Sequence, residues 1–281
     1  MFQLDHAVTY TPSGVEYTEA LSKTTHLGIG AHQDDLEIMA IEGILACYDQ
    51  TDKSFSGVIV NDGAGAPRAG AFADFTNEQM AAARIDEQKN AADLGDFGSV
   101  ALLGYTTAEV KDGQDTRIES DLGLLLKNTH PEVIYTHNLL DKHDAHVAVV
   151  LKTIEAIRKL PMDKRPQRLL GCEVWRDLDW LVGEDKVVMD TSPKHTLQEA
   201  LLKVFESQIA GGKRYDLAAM GRRCANATYL EPLQVDEVSG AVFGIDLTPL
   251  IQDDTLNVEE YALQFVDRLK DDCMDRFSRL R

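Results

Sequence analysis

A chain of 281 residues, 44% of them hydrophobic and 27% charged, has the make-up of an ordinary folded protein, which excludes a disordered or fibrous one. Its 47 acidic against 28 basic residues leave a formal charge of -19, which repels phosphate backbones and anionic membrane surfaces and argues against nucleic-acid or membrane partners. Cys47, Cys172, Cys224 and Cys273 are scattered without a Cys-x-x-Cys pair, no apolar run nears ~20 residues, and the first residues lack a basic stretch before an apolar one, so free thiols in a cytoplasmic protein are expected.

Short β-rich apolar runs alternate with helical patterns, the signature of βαβ units, so the expected fold is α/β with a mainly parallel sheet flanked by helices. Strands are expected over residues 27–31, 57–61, 100–103, 133–136, 169–174, 187–189 and 242–245. No repeat and no Pro/Gly/Ser linker divides the chain. Residues 1–281 therefore read as one domain, with a core over 24–160 and substrate-side strands and a last helix over 161–281.

The first strand runs into Ala31-His32-Gln33-Asp34-Asp35, and in open α/β sheets ligands bind just outside the carboxyl ends of the strands. After the second strand, residues 61–76 are rich in Gly and Ala and read as a long loop over that end of the sheet. Thr76-x-x-Gln79 starts a helix with a capping box and Gly95 stops it. The strand at 133–136 is followed by Asp141-Lys142-His143-Asp144-Ala145-His146, which opens an apolar helix over 147–157 and puts His143 and His146 on one helical face. The last helix, from about residue 257, carries Val258, Ala262, Phe265, Leu269 and Cys273 on one face. That face packs on its own sheet or on a neighbouring subunit, which leaves a homo-oligomer open.

If the strands at 27–31 and 133–136 are neighbours, their ends converge, and His32, Asp35 and His146 supply two imidazoles and a carboxylate to one divalent cation. Three protein ligands leave a fourth position for water, the mark of a catalytic rather than a structural zinc site. Zinc lowers the pKa of a bound water from ~15.7 to about 7, and Asp34, left unligated, would take its proton as it attacks a carbonyl. His143 would then hydrogen-bond the developing oxyanion or protonate the leaving nitrogen. A four-ligand structural site that also uses His143 is the variant. Singly, each group has a plainer reading: aspartates after a strand often cap a helix, and a lone His-x-x-His is usually surface chemistry.

Ala31-His32-Gln33-Asp34-Asp35-x-Glu37-Ile38 resembles the Ala-His-Pro-Asp-Asp signature of the PIG-L/LmbE-like zinc N-deacetylases, which act on N-acetylglucosamine-containing substrates, and Glu37 is most like their bacillithiol-pathway branch. Asp141 to His146 resembles the family's Asp-x-His-Pro-Asp-His. Asn61-Asp62-Gly63, Arg84-x-x-Glu87 with Leu94-Gly95, and Ser207-Gln208 resemble weaker signatures, so the likeness spans about residues 24–235. It implies a Rossmann-like sheet, one Zn2+ per chain and hydrolysis of an acetamido group on a small amino-sugar to amine and acetate. It assigns His32, Asp35 and His146 to the metal, Asp34 to general base, His143 to the tetrahedral intermediate and Arg84 to the sugar.

Gln33 stands where the family has proline, and Ala145 where it has the aspartate that tunes the catalytic histidine. Either Asp141 or Asp144 takes that orienting role, or the acid role of His143 is weakened. Asp62 either touches the metal's solvent or a sugar hydroxyl, or simply forms an Asp-Gly turn. His137, Glu173, His195, Trp175 and Trp180 have structural readings and stay outside the expected site. Two other functions compete with the deacetylase: a sugar-binding or regulatory protein that keeps the metal without turnover, and a metal-dependent hydrolase of another amide or a phosphoester.

Overall fold

The computed structural model describes residues 2–281. In chain order they form β1 (Val8–Tyr10), α1 (Tyr17–Ser22), β2 (His26–Gly30), α2 (Asp35–Met39), α3 (Ile41–Cys47), β3 (Phe55–Asn61), α4 (Asn77–Leu94), β4 (Ser99–Tyr105), α5 (Thr107–Lys111), α6 (Arg117–Asn128), β5 (Val133–His137), α7 (Asp144–Arg158), β6 (Arg168–Cys172), β7 (Val187–Asp190), α8 (His195–Lys203), α9 (Glu206–Ala210), α10 (Tyr215–Thr228), β8 (Ala241–Asp246), α11 (Thr248–Gln252) and α12 (Val258–Leu280). The strands make one sheet in the order β1-β4-β3-β2-β5-β6-β8-β7.

The five strands β4-β3-β2-β5-β6 are parallel, as the alternating pattern predicts. The outer pairs are antiparallel: β1 on β4, β8 on β6, and β7 on β8. Every residue of β2 and β3 is buried, because apolar layers cover both faces, and a two-sided burial of this kind selects near-continuous hydrophobic strands. One layer packs Ile29 against Val149 and Ile154 of α7, and the other packs Phe55 and Ile59 against Leu36 and Ile44.

From β2 the chain goes to β3 and β4 on one side, then returns to β5 on the other. The order reverses between β2 and β5, and such a switch point opens a crevice at the strands' carboxyl ends. The expected neighbours therefore do pair, Leu27 with Ile134 and Gly28 with Tyr135. Gly28 lets α2 lie close on the sheet, since a Cβ there would meet Leu36 Cδ2 at 2.8 Å.

The capping box at Thr76 forms as expected, its hydroxyl accepting from Gln79 N–H. The strand expected to reach residue 174 ends at Cys172, and β1 was not foreseen because it is a three-residue edge. In α12 only Ala262 and Phe265 are buried and Cys273 is exposed, so the expected apolar face packs on the body over its first half only. No helix among the described residues is long and apolar enough to cross a membrane.

Candidate active site

At the end of β2 the backbone turns sharply. Asp34 takes a left-handed conformation, φ 98° and ψ -26°, which costs a non-glycine residue about 1–3 kcal/mol and is most readily adopted by Asp and Asn. The turn brings the carboxylate of Asp35 back under His32, whose N–H donates to Asp35 Oδ2 at 2.6 Å. Across the sheet, β5 ends in His137, whose Nε2 accepts from Ala31 N–H at 2.9 Å. That bond fixes the ring with its proton on Nδ1 and ties the two strand ends together.

Beyond β5, Asp141 is the organising residue. Its Oδ1 accepts from His143 N–H at 3.1 Å, and its Oδ2 accepts from Trp175 N–H at 3.1 Å and lies 3.4 Å from His146 Nδ1. Burial pushes the Asp141 carboxyl up, but His146 and His137 outweigh it and hold the group below its ordinary value. With Nδ1 facing Asp141, His146 presents Nε2 to the crevice. His143 precedes α7 in an extended conformation, so it and His146 do not share a helical face as expected, although their rings stand 4.6 Å apart. Asp144, one of two candidate orienting carboxylates, points outward: its side chain is 83% exposed and pairs with Lys111 at 3.6 Å.

His32 Nδ1, His146 Nε2 and the carboxylate of Asp35 converge. The imidazole nitrogens are 3.2 Å apart, Asp35 Oδ2 is 3.4 Å from His32 Nδ1, and Asp35 Oδ1 is 3.5 Å from His146 Nε2. Ligands ~2.0–2.1 Å from a tetrahedral zinc ion are separated by about 3.3–3.4 Å, so this donor set fits such an ion. His143 and His137 widen the cluster: ligand atoms of His32, His143 and His146, and of Asp35, His137 and His146, lie within 4.8 Å of one another. His137 Nε2 already accepts a backbone proton, which leaves it the weaker donor. Burial alone would raise the Asp35 carboxyl, but His146 and His137 reverse this and hold it well below the usual carboxylate range. Burial lowers His32, and burial with the charges of His146 and His32 lowers His143, so both rings favour the neutral form.

Beside this set lies a second carboxyl group, with a different environment. Asp34 is buried and its carboxyl stands well above the ordinary value because burial outweighs the pull of Arg84, whose Nη2 is 3.6 Å away. Arg84 is itself buried and donates to the carbonyl of Gln33. Glu87, one turn further along α4, is engaged elsewhere, accepting from the N–H and hydroxyl of Ser207 at 2.7 Å each. Glu37 accepts from Gln88 Nε2 at 2.8 Å, and burial raises its carboxyl to about 7.

A cavity of about 550 Å³ opens over the cluster, lined among others by His32, Asp34, Asp35, Arg84 and His143. The loop after β3 contributes Gly63, Gly65, Ala66 and Pro67 to its wall, as expected. Gly63 is required there: φ is +73°, and a Cβ would meet Gln33 Oε1 at 2.5 Å. Asp62 does not line the cavity; it accepts from Ala64 N–H at 3.0 Å, the turn arrangement.

Two residues left outside the expected site belong beside it. His137 stacks on His146 with ring centroids 3.8 Å apart, and Trp175 stacks on His143 at 6.1 Å. The signal for His137 was its place as the last residue of the strand that precedes the second motif. Glu173 is structural, accepting from Phe243 N–H at 3.0 Å and Leu178 N–H at 3.0 Å, and His195 is exposed at the start of α8. Trp180 lines a separate groove. Lys213, Tyr215 and Arg222, which no motif marked, line the cavity from the side of α10.

Residues 27–157, which include every donor of the cluster, match the family model described as PIG-L: GlcNAc-PI de-N-acetylase. Over residues 27–157 the chain carries a PIG-L family domain. No curated protein sequence matches it significantly. Solved structures share its fold: N,N'-diacetylchitobiose deacetylase from Pyrococcus horikoshii has TM-score 0.63 at 14% identity, covering 84% of this chain and 88% of that one. 4-Carboxy-2-hydroxymuconate hydratase from Pseudomonas putida KT2440 has TM-score 0.60 at 17% identity, with coverages of 80% and 96%. A zinc-inhibited form of teicoplanin deacetylase has TM-score 0.57 at 13% identity, with coverages of 80% and 98%. Since deacetylases and a hydratase share the architecture of the PIG-L domain, the reaction is read from side chains and not from the fold.

Proposed function

We propose that this protein is a cytoplasmic, zinc-dependent hydrolase that removes the N-acetyl group from a small amino-sugar derivative. The observation that carries the reading is the separation of duties at the end of β2. Asp35 joins His32 and His146 in a donor set of tetrahedral spacing, whereas the adjacent Asp34 is turned away by its left-handed backbone toward Arg84. Zinc held by His32, Asp35 and His146 supplies a Lewis acid for the acetamide carbonyl and an acidified water.

The remaining work falls to the chain's own groups. Asp34, its proton affinity raised by burial, accepts the proton of the attacking water and returns it toward the leaving nitrogen. Neutral His143 faces the cavity as a hydrogen-bond donor to the oxygen that gains charge, an interaction typically worth about 2.7–4 kcal/mol. Arg84 holds the Gln33 carbonyl and lines the cavity, where its guanidinium can meet a sugar hydroxyl. Asp141 fixes the His146 ring, the orienting role of a carboxylate behind a metal-binding imidazole.

A second reading, a protein that keeps the ion and binds the sugar without turnover, draws on one feature. His143 Nδ1 is buried without a hydrogen-bond partner, and Ala145 stands where the resembling family has its tuning aspartate. One experiment separates the two. Zinc-free protein is titrated with zinc and assayed for acetate release from a panel of N-acetylated amino-sugars, with sugar binding followed by calorimetry. Acetate release that appears at one equivalent of zinc and vanishes in Asp34→Asn supports the hydrolase. Sugar binding without acetate release rejects it.

A further inference from the structure

The cavity is uneven in charge. Among the described residues its only carboxylates are Asp34 and Asp35, beside the donor set, whereas Lys213 and Arg222 stand on the wall formed by α10 and the residues before it. Four cations occur in this stretch, and their partners distinguish them. Arg214 is neutralised by Asp216, with bonds of 2.9 and 2.7 Å. Arg223 is buried and serves the fold, donating to Gln198 Oε1 at 2.9 Å and to the Glu37 carbonyl at 2.6 Å.

Lys213 and Arg222 make no ion pair among the described residues. Lys213 Nζ stands 5.2 Å from the centre of the Trp175 ring, and Arg222 Nη1 donates to the carbonyl of Val174. Trp175 in turn stacks on His143. The two cations are thus gathered at residues 174–175, one aromatic layer from the reacting end of the cavity. In a chain with 47 acidic residues and a charge of -19, surface cations find carboxylate partners easily. Arg222 is felt by the buried Glu173 behind it, but neither cation has a carboxylate within ion-pairing distance among the described residues, and two such charges facing a cavity favour an anionic ligand group.

We infer that Lys213 and Arg222 form an anion subsite that takes a phosphate or carboxylate carried by the substrate, about one sugar ring away from the acetamide. Trp175 supplies the apolar face between the two ends, with Tyr215 set edge-on to it at 6.1 Å. The identity of the rest of the substrate rests on the deacetylase reading; the subsite itself does not.

The test compares N-acetylglucosamine, N-acetylglucosamine 6-phosphate and N-acetylmuramic acid, which are neutral, phosphate-bearing and carboxylate-bearing. Calorimetry with zinc-loaded Asp34→Asn protein reads binding without turnover. At least one charged sugar binds 10-fold or more tighter than the neutral one, and the gap narrows as salt is raised. Lys213→Ala and Arg222→Ala each reduce the preference roughly 10- to 100-fold, the value of a charged hydrogen-bond partner. Arg222→Lys retains most of it, and Arg214→Ala leaves it as it was, which separates loss of the charge from loss of folding. The order between the two charged sugars identifies the anion. In steady-state assays on the unaltered protein the same preference appears in KM rather than kcat.

Equal affinity for neutral and charged sugars, a preference that survives in the Lys213→Ala, Arg222→Ala double variant, or no binding of either charged sugar overturns the subsite. Acetate release from the neutral sugar would leave the deacetylase reading intact in each of those cases. Charged sugars that bind through Lys213 and Arg222 but release no acetate support the subsite and defeat the deacetylase.

Discussion

The loop after β2 and the loop after β5 sit side by side at one crevice, yet they dispose of their acidic residues differently. The first keeps all of its carboxylates inside: Asp34, Asp35 and Glu37 are buried in three distinct environments. The second keeps Asp141 and releases Asp144 to solvent. The first segment thus parts a carboxylate of the donor set from its neighbour, and the second sets a carboxylate behind a histidine of that set. A short left-handed turn can point neighbouring side chains in opposite directions, whereas a helix start sorts residues by face.

Five substitutions test that division, in order of effect. His146→Ala removes the donor shared by both clusters and leaves Asp141 without its imidazole, so zinc content should fall to background and kcat/KM by roughly 10³-fold or more, as read by metal analysis and acetate release. Asp34→Asn keeps the left-handed backbone and should lower kcat by about 10²–10⁴-fold with zinc content unchanged. Loss of zinc in that variant would erase the distinction between the adjacent aspartates.

Glu37 gives a stability signature. Its folded pKa of about 7 lies above the ordinary value of 4.5, so the protonated form is favoured in the fold; that stability is present in full below 4.5 and lost as pH rises through 7. The size is about 3 kcal/mol at ~1.36 kcal/mol per unit. Urea unfolding of zinc-free protein across pH 4.5–8 should show this decline, and Glu37→Gln should flatten it. Asp141→Asn should weaken zinc about 10- to 100-fold, and excess zinc should restore turnover. Asp144→Ala should change stability by no more than ~0.5 kcal/mol and leave kcat/KM as it was, since its exposed carboxylate pairs with Lys111 at the surface. A large effect there would mean that both aspartates of the second loop serve the site.

The convergence of His32, Asp35 and His146 was legible because both motifs follow apolar strands and because the β2–β5 pairing needs only the usual right-handed crossovers. The choice between Asp141 and Asp144 was not, since it depends on where α7 starts, and the spacing alone permits a turn earlier. His137 was hidden by its own burial: a histidine that ends a core strand has the same sequence environment whether it braces a backbone N–H or a metal ligand. Lys213 and Arg222 were out of reach because their facing depends on how α10 packs against β8 and α8, a long-range contact with no local pattern.

The match to the PIG-L family ends at residue 157, but the molecule offers no seam there. β5 still needs β6 along its free edge, Glu87 still needs Ser207, and the carbonyl of Glu37 is held by Arg223 from 186 residues away. A fragment cut at that point would carry all the donors of the cluster on a sheet with an open side and a crevice with one wall gone. The stretch that matches the family is smaller than what folds as a unit, and the residues after 157, which lie outside that match, close the sheet and build the remaining wall of the crevice.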